Sequence, residues 1–188
     1  MKLSSLIILF FFVQSNILTA QTIPDSLKFP ATWQGVWVGN LEIFNNQGLT
    51  QTLPMELHIL PIENSDRYTW TIFYGKDKVA GKRDYEIVPT DTLKGIYSID
   101  EKNSIAMEGY LLGGKYFQRF EVMGNLLLTA TEKVSETEII WEIISGKLEA
   151  VSSTGKQEIE GEEIPEVRTY PVSVLQRARL ILQVSDNR

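Results

Sequence analysis

Cysteine is absent from the sequence and histidine occurs once, at His58. The first absence excludes disulfide staples, thiol nucleophiles and thiolate metal sites, so any folded domain must be held by its own apolar core. The second excludes histidine-based catalytic dyads and multi-histidine metal centres by counting alone. His58 shares strand parity with Glu56, which reads as a solvated surface imidazole rather than a haem ligand. There is no His-Glu-x-x-His, no glycine-rich phosphate loop and no nucleophile elbow, so no motif proposes catalysis or calls for a cofactor. Clustered basic residues are missing too. The net charge of −6 repels phosphate backbones and anionic head groups, which excludes nucleic acid as a partner. The acidic runs 100–103 and 158–166 lack the alternating oxygen ligands and central glycine of a calcium loop and read as solvated turns, leaving no metal site.

Long hydrophobic runs are also scarce. The apolar run 6–13 has eight residues against the roughly 20 needed to span a bilayer, so no membrane span is expected. Lys2 precedes it and Leu18-Thr19-Ala20 follows, which is the charge, core and small-residue order of a secretory signal peptide over residues 1–20. Cleavage after Ala20 leaves Gln21 first, export leads to the periplasm or beyond the cell, and no cysteine is available for lipid attachment. The remaining 168 residues suit one domain, and losing Lys2 makes the charge −7.

What the sequence does have is alternation. In 33–44 the odd positions carry Trp33, Gly35, Trp37, Gly39, Leu41 and Ile43, and the even ones include Gln34, Asn40 and Glu42. This period of two predicts a strand with one buried face, its glycines leaving room for indole rings and for sharp bending. Residues 21–32, with Pro24 and Pro30, predict an extended lead-in that closes one end of the fold. Further alternating runs at 53–59, 67–74, 82–88, 93–99, 104–111, 116–123, 126–133 and 137–145 are separated by turn-forming residues at hairpin lengths. The rhythm lapses at 146–166, a polar stretch that predicts a long mobile connection with room for a short hairpin. A last apolar run, 167–184, predicts strand in its first half and either strand or helix over 175–183. About ten strands joined by short turns, with no intervening globular helix, predict an all-β domain over 33–188. Sequential hairpins make it a single antiparallel up-and-down β-barrel.

Gly35-Val36-Trp37 resembles the Gly-x-Trp of the first strand in the calycin superfamily, the lipocalins and fatty-acid-binding proteins, and ten strands are closer to the fatty-acid-binding branch. Thr90-Asp91-Thr92 is a loose echo of the second lipocalin motif, and the helical pair of fatty-acid-binding proteins has no counterpart. The chain is thus similar to a secreted, lipocalin-like branch of that superfamily. The resemblance implies that Trp37 closes the barrel base, with Gly35 beside it, under a cation from a late strand. Arg177 and Arg179 are the implied cations, an interaction worth about 0.5–2 kcal/mol.

Barrel geometry turns alternate residues of every strand toward one interior. Trp70, Tyr85, Tyr97, Tyr110, Phe120 and Trp141 fall in separate strands and are the expected lining of a ligand cavity, with Arg83 and then Arg119 as the cation that orients a carboxylate. The same rings can instead make a filled core with both arginines in water. The leading functional expectation is an exported, non-catalytic barrel that binds a small hydrophobic or amphipathic molecule. Alternatives are a solid-core interaction module that contacts another protein of the cell envelope, and a cavity enzyme using Arg, Tyr and carboxylate groups. The leader makes its own prediction: protein recovered after export begins at Gln21, and an intact mass that still includes residues 1–20 contradicts it.

Overall fold

The computed structural model describes residues 28–184, so the expected leader and residues 21–27 of the lead-in lie outside the described residues. The wall is built from β1 (Gly35–Asn45), β2 (Gly48–Ile59), β3 (Tyr68–Tyr74), β4 (Lys82–Asp91), β5 (Ile96–Asp100), β6 (Ala106–Leu112), β7 (Lys115–Val122), β8 (Asn125–Ser135) and β9 (Glu138–Lys147). An arm then carries β10 (Ser152–Thr154), β11 (Gln157–Ile159), β12 (Glu162–Ile164) and β13 (Val167–Thr169), and β14 (Val174–Leu182) returns to the wall. The order β1-β14-β9-β8-β7-β6-β5-β4-β3-β2 closes into a ten-stranded antiparallel barrel, as the spacing of the alternating runs predicts. Closure leaves no free edge on a sheet rich in aromatic and β-branched residues.

Alternation sets which side chains fill the barrel. Trp37 lies between Leu57 of β2 and Leu182 of β14, Gly39 between Met55 and Leu180, and Leu41 between Leu53 and Ala178. Each of these inward side chains is wholly or partly buried, and full burial of one large apolar side chain is worth about 1.5–3 kcal/mol. Gly39 is required by contact: a Cβ there would stand 2.1 Å from the backbone oxygen of Arg179. Gly109 has a similar role on β6, where an added Cβ would meet the Tyr116 ring at 2.4 Å.

One end of the barrel is filled by the lead-in. Ala31–Trp33 form a single 3-10 turn ahead of β1, and Phe29 and Trp33 are buried with their rings 4.7 Å apart. Phe29 also stacks on Tyr116 at 4.9 Å and meets Tyr97 edge-on at 4.9 Å. The wall donates to the backbone of this plug at three points. The Tyr97 hydroxyl donates to Phe29 O at 2.9 Å, Lys133 Nζ to Thr32 O at 2.8 Å, and Trp37 Nε1 to Trp33 O at 2.9 Å. Lys133 reaches Glu136 at 2.7 Å as well, so its charge has a partner although the residue is only 8% exposed.

Two local expectations are revised and two are made definite. The alternation that starts at Trp33 becomes strand only at Gly35, because Trp33 belongs to the turn that plugs the barrel. The polar stretch after β9 holds the short hairpin expected within it, β11 with β12, and β10 pairs with β13 around it. Residues 175–182 are strand, paired on both sides, where the apolar run alone left helix open. Arg177 and Arg179 are exposed and do not cover Trp37, because the buried Ala178 and Leu180 take the inward parity of β14. Arg177 lies over Phe44 at 5.6 Å and 3.5 Å from Glu42, and Arg179 pairs with Glu138 at 3.0 Å. Lys133 of β8 brings a cation to the closed end, where it holds backbone. The seam between β1 and β14 supplies a test: Gly39→Ala forces those strands apart and lowers stability by about 1–3 kcal/mol in urea unfolding, whereas an unchanged midpoint contradicts the close approach.

Candidate functional site

Away from the plug the barrel is not filled. A cavity of about 150 Å³ is bounded by Trp70, Ile72 and Tyr74 of β3, Tyr85 of β4, Ile99 of β5, Met107 of β6, Gln118 and Phe120 of β7, Thr129 and Thr131 of β8, and Trp141 and Ile143 of β9, with Glu101 at its mouth. The lining residues sit toward the end of the barrel opposite the 3-10 turn. Tyr74 and Phe120 lie near the C-terminal ends of their strands, and Glu101 begins the turn after β5. Two ring pairs span the interior, since β3 is next to neither β7 nor β9 in the wall: Trp70 with Tyr116 at 5.9 Å and Tyr74 with Trp141 at 6.3 Å.

Polar groups gather on one wall. Gln118 Nε2 donates to Met107 O at 3.1 Å, and Thr129 Oγ1 stands 3.5 Å from Gln118 Oε1, so the amide is held by its neighbours on both sides. Thr131 is buried beside them. At the mouth Tyr85 lies near the Glu101 carboxylate. Desolvation first, and that negative neighbour second, hold the phenol above its ordinary pKa. Burial likewise pushes the Tyr74 phenol well up, with a smaller contribution from nearby Tyr85, while Arg83 opposes the shift. Both phenols are therefore neutral donors at physiological pH. Among the described residues no group of three or more His, Asp or Glu is placed to hold a metal ion, and no helix is long and apolar enough to cross a membrane.

The structure divides the expected lining set. Trp70, Tyr85, Phe120 and Trp141 meet around the cavity. Tyr97 points inward but to the plug, where its hydroxyl is spent on Phe29 O. Tyr110 is on the outside of β6, exposed and hydrogen-bonded to Glu108. Arg119 is on the outside of β7, between the inward Gln118 and Phe120, and its neighbours are Leu126, Leu128 and Tyr170 in an outer hollow beside the arm. Arg83 stands at the rim without lining the cavity. Its guanidinium lies 6.0 Å from the Tyr74 ring and donates to Ala80 O at 3.3 Å and Lys82 O at 2.9 Å. His58 is half-buried on the outer face, 3.0 Å from Glu56.

Residues absent from the expected set include Tyr74, Gln118, Thr129, Thr131 and Glu101. Tyr74 and Gln118 share strand parity with Trp70 and Phe120, so following the alternation along β3 and β7 finds them, whereas β8 holds none of the expected residues and Thr129 and Thr131 have no such neighbour to point to them. Glu101 carries no such signal, because the turn it starts reads as solvated. That turn is internally bonded, with Asp100 Oδ1 accepting from Lys102 N at 2.8 Å, and it sets Glu101 over the mouth.

No protein-family profile matches the sequence, and neither does any curated protein. Solved structures do share the fold. A DUF3598-family protein of unknown function from Nostoc punctiforme superposes with a TM-score of 0.54 at 12% identity over 80% of this chain. The chain spans 47% of that protein's length. The S-type phycobiliprotein lyase CpeS from Guillardia theta gives a TM-score of 0.52 at 8% identity, over 81% of this chain and 89% of its own. At these identities the likeness is one of fold, and with the closed ten-stranded wall it fits a calycin-like barrel.

The buried tyrosines predict a pH dependence with a definite sign. Tyr74, Tyr85, Tyr97 and Tyr116 all lie above the ordinary tyrosine pKa of 10.0, chiefly through desolvation. Their contribution to stability is complete below that value and is lost as pH rises through it, because the unfolded chain ionises first. The urea midpoint is expected to fall above about pH 10, and to fall less steeply in Tyr116→Phe. Phenolate absorbance that reaches its full seven-tyrosine amplitude at the ordinary pKa with the fold intact overturns the assignment.

Proposed function

We propose that the protein is an exported carrier whose barrel takes up a small apolar or amphipathic molecule through its open end and holds it without altering it. The supporting observation is the asymmetry of the interior: one end is filled by Phe29 and Trp33, and the other keeps a void bounded by Trp70, Tyr74, Tyr85, Phe120 and Trp141. A void of about 150 Å³ matches the size that admits a benzene-like guest. It is below the roughly 300–1,000 Å³ of pockets that enclose drug-sized ligands. The ligand, or the part of it that enters, is therefore one ring or one short branched group, and a long acyl chain is too large. Gln118, Thr129 and Thr131 offer hydrogen bonds on one wall and Tyr85 with Glu101 on the rim, which fits an amphipathic guest better than a hydrocarbon.

An interaction module with a solid interior requires a filled barrel, and the void favours the carrier. A cavity enzyme is the second reading, favoured by the Tyr85–Glu101 pair and by the sharing of the barrel with a phycobiliprotein lyase. A phenol held neutral beside a carboxylate donates a hydrogen bond well but accepts a proton poorly, which argues for binding over proton abstraction.

Titrating the mature protein with small aromatic alcohols, read by the fluorescence of Trp70 and Trp141 and by calorimetry, tests the proposal. Saturable binding is expected, with Kd on the order of 0.01–1 mM for guests of that size. Thr129→Phe, which puts a ring into the void, weakens it about tenfold or more while leaving the far-ultraviolet dichroism unchanged. Absence of saturable binding across the series rejects the carrier, and recovery of chemically altered guest favours the enzyme.

A further inference from the structure

A second hollow lies on the outside of the barrel, where the arm rejoins the wall. Its volume is about 360 Å³, against about 150 Å³ for the inner void. The floor is the outward face of β8 and β9. Leu128 stands opposite Ile144 in the register, and both point away from the interior because Thr129 and Ile143 take the inward positions next to them. Leu128 is 38% exposed and Ile144 37%, so the floor is aliphatic surface open to water. The far wall is the return of the arm, Tyr170 to Val172. Backbone fixes it in place: Ser173 N donates to Ser145 O at 2.8 Å, and a Cβ on Gly146 would stand 1.8 Å from Pro171 O.

The charged side chains of the lining are both cations, Arg119, which pairs with Leu128 across β7 and β8, and Lys147 at the end of β9. Neither side chain makes an ion pair, a hydrogen bond or a ring contact among the described residues. The acids two positions further along the chain, Glu121 and Glu149, do not line the hollow and pair with neither cation. Elsewhere on the outer wall cations are matched: Arg177 has Glu42, Arg179 has Glu138, and Lys115 has Glu132. We propose that this hollow binds a small amphipathic anion, its carboxylate head held by Arg119 and Lys147 and its short apolar tail laid over Leu128 and Ile144. A guanidinium without a partner suits a carboxylate, through charge-assisted hydrogen bonds in a planar fork. The volume agrees, since small-molecule pockets run from about 300 to 1,000 Å³. An acyl chain, too large for the inner void, therefore has a place here, and the site stands independently of the carrier reading.

Octanoate, octanol and octylammonium, guests of one length used below their micelle concentrations, test the site on the mature protein by calorimetry, with NMR to locate them. Octanoate is expected to bind saturably, about tenfold or more tightly than octanol, with octylammonium weakest, and to shift the methyl resonances of Leu128 and Ile144. Arg119→Gln is expected to weaken octanoate about tenfold and leave octanol unchanged. Leu128→Glu, which sets a like charge on the floor, weakens octanoate at least as much, and the unfolding midpoint of each variant checks its fold. Thr129→Phe fills the inner void and leaves octanoate binding as it was, so failure of this site and failure of the carrier are separate results. Equal or tighter binding of octanol or octylammonium overturns the proposal. So do shifts at the Trp70 and Trp141 indoles in place of those methyls, or octanoate binding that survives both Arg119→Gln and Leu128→Glu. Methyl shifts that grow with protein concentration in the absence of guest make this face a contact between copies, and attachment to anionic vesicles without uptake of free octanoate makes it a membrane contact. Either result overturns the proposal, as does the absence of binding by all three guests, whatever the small aromatic alcohols do.

Discussion

Tyr97, Lys133 and Trp37 each donate a hydrogen bond from the barrel wall to a backbone carbonyl of the segment that enters the barrel, and the rest of the architecture depends on that attachment. A chain that crosses an apolar barrel end carries carbonyls away from water, and each one left unmatched costs about 1–3 kcal/mol. With the carbonyls of Phe29, Thr32 and Trp33 matched in this way, the Phe29 and Trp33 rings can be buried in the end of the barrel. A wall of ten strands encloses more space than its own side chains fill easily. The lead-in makes up the difference at one end, and the other keeps the void.

The same accounting explains which side chains face the void. Threonine and glutamine are tolerated inside because neighbouring strands offer them partners, as Met107 O does for Gln118. An arginine projecting into 150 Å³ of largely apolar space would have no comparable partner, and Arg119, Arg177 and Arg179 all occupy outward positions. Glu101 escapes the penalty by sitting at the mouth, half-exposed and accepting a hydrogen bond from Asn103. The interior is therefore polar on one wall and aromatic on the others.

The fold likeness to a DUF3598-family protein and to a phycobiliprotein lyase, at 12% and 8% identity, has a simple physical basis. Closing a meander of hairpins asks for alternation, short turns and a few glycines where strands approach closely, and very many sequences meet those demands. Gly39, pressed against Arg179 O, is such a demand in this chain. The contents of the barrel are not fixed by those rules, so a shared wall says little about a shared ligand.

By itself the sequence determined the wall, because a period of two over ten runs has one economical outcome: apolar odd positions such as Trp37, Leu41 and Ile43 go inside, and short turns make neighbours antiparallel. It also determined most of the rings around the void, since Trp70, Tyr85, Phe120 and Trp141 follow from parity alone. Only the tertiary structure decided that Tyr97 serves the plug, that Tyr110 and Arg119 face outward, and that Lys133, rather than Arg177 or Arg179, brings a cation to the closed end. Parity says which side of a strand a residue takes only once the register and ends of that strand are known, and those are set by partners distant in sequence. The place of Glu101 over the mouth was likewise beyond the sequence, because a turn residue has no periodicity to follow and its direction is fixed by how the two strands it joins sit in the closed barrel.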